Sequence, residues 1–154
     1  MHVLWAKRLF LVMFLFVFSV LIFSFELSLG TMYSFSGNFV FTTEFTTLGI
    51  SQNAPNTTSG FSTLFITDFG NYYLAFGGIA KYTVKLDFGT TALYGMGGML
   101  APLNGFGFDK ITGIVRIGAK YYFENFSVNS GIFSYYLIDN TKVEGVEFSV
   151  GYSF

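Results

Sequence analysis

Beyond residue 30 the chain alternates between apolar and polar side chains with a period of two, the signature of strands that present two unlike faces. From Thr31 to Thr47 the odd positions Thr31, Tyr33, Phe35, Gly37, Phe39, Phe41, Thr43 and Phe45 are largely aromatic. The even positions Met32, Ser34, Ser36, Asn38, Val40, Thr42 and Glu44 are mostly small or polar. The pattern returns at Tyr82–Phe88, at Val115–Phe123 and at Val146–Phe154, where Val146, Phe148, Val150, Tyr152 and Phe154 alternate with Glu147, Ser149, Gly151 and Ser153. Segments of about ten residues with this alternation, separated by turns, fit strands with one face toward lipid.

Turn-forming residues divide the chain. Short breaks fall at Asp68-Phe69-Gly70-Asn71, Gly77-Gly78, Asp87-Phe88-Gly89-Thr90 and Glu124-Asn125; longer polar or Gly/Pro-bearing loops fall at Leu48–Ser59, Ala101–Lys110 and Asp139–Val143. The reading is eight strands, roughly 31–47, 60–69, 71–76, 79–88, 91–100, 111–123, 126–138 and 144–154. An even count puts both ends on one side. It places the three long loops and Gly77-Gly78 on the far side and the turns at 69–71, 88–90 and 124–125 on the near side, the asymmetry expected if the strands form a transmembrane barrel whose short turns face the periplasm. Asp68, Asp87 and Glu124 would then share the periplasmic rim. The weakest division is Gly77-Gly78: if it lies within one long strand, Thr31–Thr47 must split to keep the count.

The first thirty residues read differently. Lys7 and Arg8 precede a run, Leu9–Phe25, that is apolar except for Ser19 and Ser24; Glu26-Leu27-Ser28-Leu29-Gly30 follows. This is the order of a Sec-type secretory signal, a helical segment removed on export, with Ser28 and Gly30 as the small-x-small pair of a cleavage site after Gly30 and a cut after Ser24 as its competitor. The expected domains are therefore a signal peptide at 1–30 and a barrel domain at 31–154. An uncleaved anchor is the alternative, although about 17 residues is short for a spanning helix. Cleavage after Gly30 removes two of the eight basic and one of the nine acidic residues, leaving a net charge of −2 and none of the protein's single histidine, His2.

Composition sharpens this picture. Apolar residues make up 52% and charged residues 11% of the chain, where soluble proteins hold roughly 25% charged residues. Aromatic residues reach 21%, including 22 Phe and 10 Tyr. One small soluble sheet cannot hide that many aromatic side chains while lacking charge to cover its surface, which makes a soluble secreted β-protein the weaker alternative. A strand protein can cross a bilayer only if its sheet closes, because no water there satisfies an open edge. With about eight strands the interior is just wide enough for side chains to fill. The expected fold is thus all-β: a closed, antiparallel, up-and-down transmembrane β-barrel.

The charged residues fall on the phase opposite the aromatic face. Glu44, Lys81, Lys85, Arg116, Lys120 and Glu147 come from four strands that a barrel would bring together, and they are the expected lumen network. Buried charges stabilise only when each is paired. On the outward phase, Tyr33, Phe35, Tyr121 and Phe123, with Tyr152 and Phe154, are the expected aromatic girdles at the membrane interfaces.

This arrangement resembles the small eight-stranded outer-membrane barrels of the OmpA/OmpX type over nearly all of Thr31–Phe154. The most specific element is the final segment, Val146-Glu147-Phe148-Ser149-Val150-Gly151-Tyr152-Ser153-Phe154. The resemblance implies a bacterial outer-membrane location, contact with its lipid, and recognition of Phe148, Val150, Tyr152 and Phe154 by the barrel-assembly machinery. The sequence departs from such proteins in lacking a clear Ala-x-Ala cleavage site.

Candidate chemistry is sparse. The expected mature chain lacks histidine, the usual general base near neutral pH, and there is no cysteine. Paired carboxylates such as Glu44 and Glu147 could in principle do acid–base work. No cofactor and no metal site is expected: His/Cys clusters are missing, and Asp109 or Asp139 alone is too few ligands for calcium. Gly95, Gly97 and Gly98 lack the Lys-Ser/Thr and helix of a phosphate loop, and no basic footprint exists for nucleic acid. The expectation is a non-enzymatic, structural or membrane-integrity barrel with a filled polar lumen. Two alternatives stay open. One is a small pore or carrier whose lumen is lined by Gly95, Gly97, Gly118, Gly131 and Gly151. The other is an adhesive or receptor surface on Leu48–Ser59 and Ala101–Lys110.

Overall fold

In a computed structural model of the chain, which describes residues 23–50 and 56–154, eight antiparallel strands close into a barrel in simple meander order. The strands are β1 (Phe23–Ser34), β2 (Phe39–Ile50), β3 (Thr57–Thr67), β4 (Tyr72–Leu86), β5 (Gly89–Pro102), β6 (Thr112–Phe123), β7 (Phe126–Tyr136) and β8 (Lys142–Ser153). A single 3-10 turn at Phe108–Lys110 interrupts the β5–β6 connection. Closure comes from β1 pairing with β8, from Glu26 opposite Ser153 to Ser34 opposite Gly145. The Phe154 amide extends this seam by donating to the Phe25 carbonyl at 2.9 Å.

The eight-strand count matches the sequence reading, but two divisions differ and compensate. The segment expected as one strand, Thr31–Thr47, is split between β1 and β2. Gly37 turns the chain at φ 94°; the Ser34 amide donates to the Asn38 carbonyl, and the Ser34 hydroxyl accepts from the Asn38 amide. Four residues lie between the strands, so the even positions stay inward on both sides of the turn and the alternation runs through it unbroken. Conversely, Gly77-Gly78 is no turn. Both glycines lie inside β4, paired with Gly98 and Gly97 of β5, and neither has positive φ.

These changes invert the piece between them. The ends of β2 and β3 joined by residues 51–56 lie at the end of the barrel where β1 begins and β8 finishes, the terminal end. Asp68-Phe69-Gly70-Asn71 lies at the far end, with the β5–β6 and β7–β8 loops. Asp68 therefore does not share a rim with Asp87 and Glu124, as had been expected. The strand ends that anchor the loops 48–59 and 101–110 also lie at opposite ends, so the two cannot form one adhesive surface. β1 begins at Phe23, within the segment expected to be a signal peptide, and Gly30 sits mid-strand; the remainder of that segment lies outside the described residues.

Each strand presents one face inward and one outward. Among the outward positions of the strands the charged residues are Lys142 and Glu144, which pair at 2.6 Å at the far end of β8. The remainder of the outer wall is apolar, aromatic or small, with Leu29, Phe61, Leu93, Ile117, Val128 and Val150 all exposed. Such an apolar belt around a closed sheet is the surface a bilayer requires. Tyr33 and Phe35 lie near the far end of this wall, and Tyr121, Phe123, Tyr152 and Phe154 near the terminal end. Phe35 stands in the β1–β2 turn rather than in a strand.

Inside, the lumen has two unlike halves. Toward the far end Met32, Leu64, Ile66, Leu100, Ile114, Phe133 and Tyr135 pack as a buried apolar cluster, with the Phe133 and Tyr135 rings stacked 5.6 Å apart. The expected polar lumen is confined to the middle and the terminal half.

Candidate functional site

The polar half of the lumen is built from inward positions of all eight strands. Three carboxylates (Glu26, Glu44, Glu147) and three cations (Lys81, Arg116, Lys120) lie there, each at most 3% exposed. The formal charges cancel. That balance matters because an isolated ion moved out of water costs several kcal/mol or more.

At mid-barrel Arg116 of β6 joins two distant strands. Its Nη1 and Nη2 donate to both oxygens of Glu44 on β2, at 2.7 and 3.1 Å. Its Nε donates to Glu147 Oε2 on β8 at 2.8 Å. The bidentate fork fits the planar guanidinium to the planar carboxylate, a geometry lysine cannot reproduce. The remaining acceptor sites are also used: Ser62 Oγ donates to Glu44 Oε1 at 2.5 Å, and the Tyr94 hydroxyl donates to Glu147 Oε1.

Nearer the terminal end Glu26 of β1 holds two lysines. Lys81 of β4 donates to Oε2 at 2.8 Å, and Lys120 of β6 donates to Oε1 at 2.5 Å. Tyr122 donates to Oε2 at 3.0 Å while its oxygen accepts from Lys81 at 2.7 Å. Ser28 and Ser127 complete the shell on Oε1. The Tyr94 ring bridges the two clusters, with the Arg116 guanidinium 5.9 Å and the Lys120 ammonium 5.7 Å from its centroid, within cation–π reach.

Of the six residues expected in the lumen, Glu44, Lys81, Arg116, Lys120 and Glu147 are brought together. Lys85 is not: its phase is inward, but it is the penultimate residue of β4 and is exposed at the terminal mouth. Glu26, Tyr94, Tyr122 and Ser62 belong to the network and were missed. Two signals could have found Glu26. It falls on the same even phase as Ser28, Gly30 and Met32, and the expected set held four cations against two carboxylates, an imbalance that a buried network does not tolerate.

The glycines expected to leave a pore do something else. Gly95 and Gly97 face outward. Gly118 and Gly131 face inward, but a methyl group at either would collide with the Tyr94 side chain. At Gly151 it would strike Ser28, Ser127 and the Glu26 carboxylate. The small residues make room for the large polar ones, so the space is occupied.

This arrangement offers little for catalysis. Glu44 and Glu147, the pair considered for acid–base chemistry, are buried on either side of Arg116. Among the described residues no group of three or more His, Cys, Asp or Glu side chains is disposed to hold a metal ion. Outside the strands at the far end, Asp68 carries a clear electrostatic perturbation. The Asn71 amide and side chain and the Gly70 amide all donate to its carboxylate, and these bonds hold its pKa below the usual range. Phe148, Val150, Tyr152 and Phe154 all face outward and are exposed.

No protein-family model and no curated protein sequence matches the chain. Solved structures do match its fold. The outer-membrane enzyme PagL superposes with a TM-score of 0.62 at 16% identity, over 84% of this chain and 98% of PagL. A de novo designed transmembrane β-barrel gives 0.59 at 13% identity, over 85% and 95%. The N-terminal β-barrel domain of Pseudomonas aeruginosa OprF gives 0.57 at 16% identity, over 85% and 97%. One neighbour is an enzyme and another is an artificial protein, so the shared fold does not by itself carry an activity. The chain has the closed eight-stranded fold of the small outer-membrane β-barrels.

Proposed function

We propose that the protein is a bacterial outer-membrane β-barrel with a structural, membrane-integrity role, exported by a Sec-type signal and sealed by its own side chains. One observation carries this reading: the outward wall is free of charge except at one rim, while three cations and three carboxylates pair inside. A soluble sheet would place these groups the other way round, with charge toward water and aromatic rings within. Outer-membrane lipid is the partner this wall fits. The exposed face of β8, with Phe148, Val150, Tyr152 and Phe154, supports recognition by the barrel-assembly machinery.

The pore alternative is weaker because Tyr94, the ion clusters and the far apolar cluster fill the space that small lumen residues would leave. The adhesin alternative loses its composite surface, since its two loops leave from opposite ends. A catalytic role finds no support in a carboxylate pair already committed to one arginine.

Cell fractionation with electrophoresis of boiled and unboiled samples tests the location. The protein is expected in the outer-membrane fraction, resistant to alkaline extraction, with faster migration before boiling. Recovery as a soluble, heat-insensitive species would overturn the reading. Planar-bilayer recording tests the sealed lumen: a flat trace is expected, and reproducible conductance steps would defeat it.

A further inference from the structure

We infer that the export signal is cut between Ser24 and Phe25, so that Glu26 becomes the second residue of the mature barrel. The inference rests on the reading of this chain as an exported barrel and deepens it. Judged by side-chain size alone, Ser28 and Gly30 make the better peptidase site. The fold opposes that site on two independent grounds.

The first is the closing seam. Positions Glu26 to Gly30 pair with Ser153 to Ser149 of β8 and with Thr46 to Thr42 of β2. A chain beginning at Thr31 would retain the far-end part of the seam only. The terminal half of β8 would become an open strand edge at membrane depth, with backbone groups that lipid cannot satisfy. The second ground is charge. Without Glu26, Lys81 and Lys120 stay buried with neither of the carboxylate contacts they make, and the balanced lumen is left with a net positive charge.

The seam also defines how much of the chain must remain. Its outermost bond runs from the Phe154 amide to the Phe25 carbonyl. Phe23 and Ser24 pair only with Gly49 and Leu48 of β2. A cut after Ser24 therefore leaves the whole β1–β8 seam intact. Ser24 also supplies the small side chain that the peptidase requires beside the cleaved bond, and in Val20-Leu21-Ile22-Phe23-Ser24-Phe25 it is the only small residue.

The test is N-terminal sequencing of the full-length gene product, expressed in a Gram-negative host and recovered from its outer-membrane fraction. The expected start is Phe25-Glu26-Leu27. A start at Thr31, at Val20 or at Met1 in that fraction would overturn the inference while leaving the barrel reading intact. Absence from the fraction would instead defeat the location on which the inference rests. Ser24→Leu provides a second readout that does not depend on folding: precursor beginning at Met1 is expected to accumulate in pulse-labelled cells. Processing of that variant at the wild-type rate would count against the Ser24–Phe25 bond.

Discussion

Glu26 and Lys120 stand 94 positions apart in sequence and meet at 2.5 Å inside the barrel. The contact ties the first strand to the sixth across the lumen, and the same carboxylate also holds Lys81 of the fourth. Replacing Glu26 by Gln keeps shape and some hydrogen bonding but leaves two buried ammonium groups without a counter-charge. Removing one partner of a buried ion pair typically costs about 3–5 kcal/mol. The expected result is a marked fall in the urea midpoint of the detergent-refolded barrel, read by the loss of heat-modifiable migration. An unchanged midpoint would mean that water reaches the lysines and that the lumen is not sealed.

Arg116 is the corresponding hub of the middle layer, and Arg116→Leu strands Glu44 and Glu147 together. A loss of about 3–5 kcal/mol is expected again, on the same physical ground. The informative companion is the triple variant Glu44→Gln, Arg116→Met, Glu147→Gln, which removes the charges as a set. It should recover much of the loss, because apolar or neutral replacement of a whole buried network is often tolerated. If the triple variant unfolds at the same urea concentration as Arg116→Leu, the deficit lies in packing and the charge argument fails.

Strand number and inward phase were legible in the sequence because both rest on alternation, which every strand repeats. Strand boundaries were less so. The turn at Ser34–Asn38 was hidden because four intervening residues preserve the phase, so Phe35 and Phe39 read as one continuous face. Gly77-Gly78 misled in the opposite direction: a glycine pair marks a turn when seen alone, and only its partner pair Gly97-Gly98 explains why it runs straight. Glu26 was lost to a segment defined by a neighbouring apolar run, although its phase and the charge imbalance both pointed inward. Tyr94 had no local signal at all. Its place is set by Gly118 and Gly131 on strands β6 and β7, a relation that exists only once the barrel closes.

Two substitutions at Tyr94 separate its roles. Tyr94→Phe keeps the ring over Gly118 and Gly131 but removes the hydroxyl that donates to Glu147, at a cost of about 1–3 kcal/mol for an acceptor left short of a partner. Tyr94→Ala also empties the space above the glycines, and aromatic-to-alanine changes in a core cost about 3–5 kcal/mol. The alanine variant should therefore be clearly the less stable in parallel urea titrations. Equal losses would reduce Tyr94 to its hydrogen bond and remove the packing explanation for the glycines.

Asp68 gives the far-end turn a pH dependence. Its carboxyl is held below the ordinary value by the Asn71 and Gly70 donors, so the unfolded chain takes up a proton there more readily than the folded one. The stability it contributes is complete above the unfolded pKa of about 4 and fades as pH falls through the lower folded value. The difference in urea midpoint between the wild type and Asp68→Asn should therefore be constant from about pH 6 to 8 and shrink below about pH 4. A difference that grew on acidification would contradict the assigned direction.

The terminal-end turn between β6 and β7 offers a gain rather than a loss. Phe123 pairs with Phe126, which leaves Glu124 and Asn125 as a two-residue connection with Glu124 at φ 53°. A side chain in the left-handed region costs roughly 1–2 kcal/mol in crowding against its own backbone, a cost glycine does not bear. Nothing in the structure repays that cost through the Glu124 carboxylate, which is exposed and makes no ion pair among the described residues. Glycine is more flexible in the unfolded chain, which offsets part of the gain. Glu124→Gly is still expected to raise stability by somewhat under about 1 kcal/mol and to slow unfolding in urea, with no change in membrane localisation. A destabilised variant would show that Glu124 holds a contact at the rim that outweighs its backbone strain.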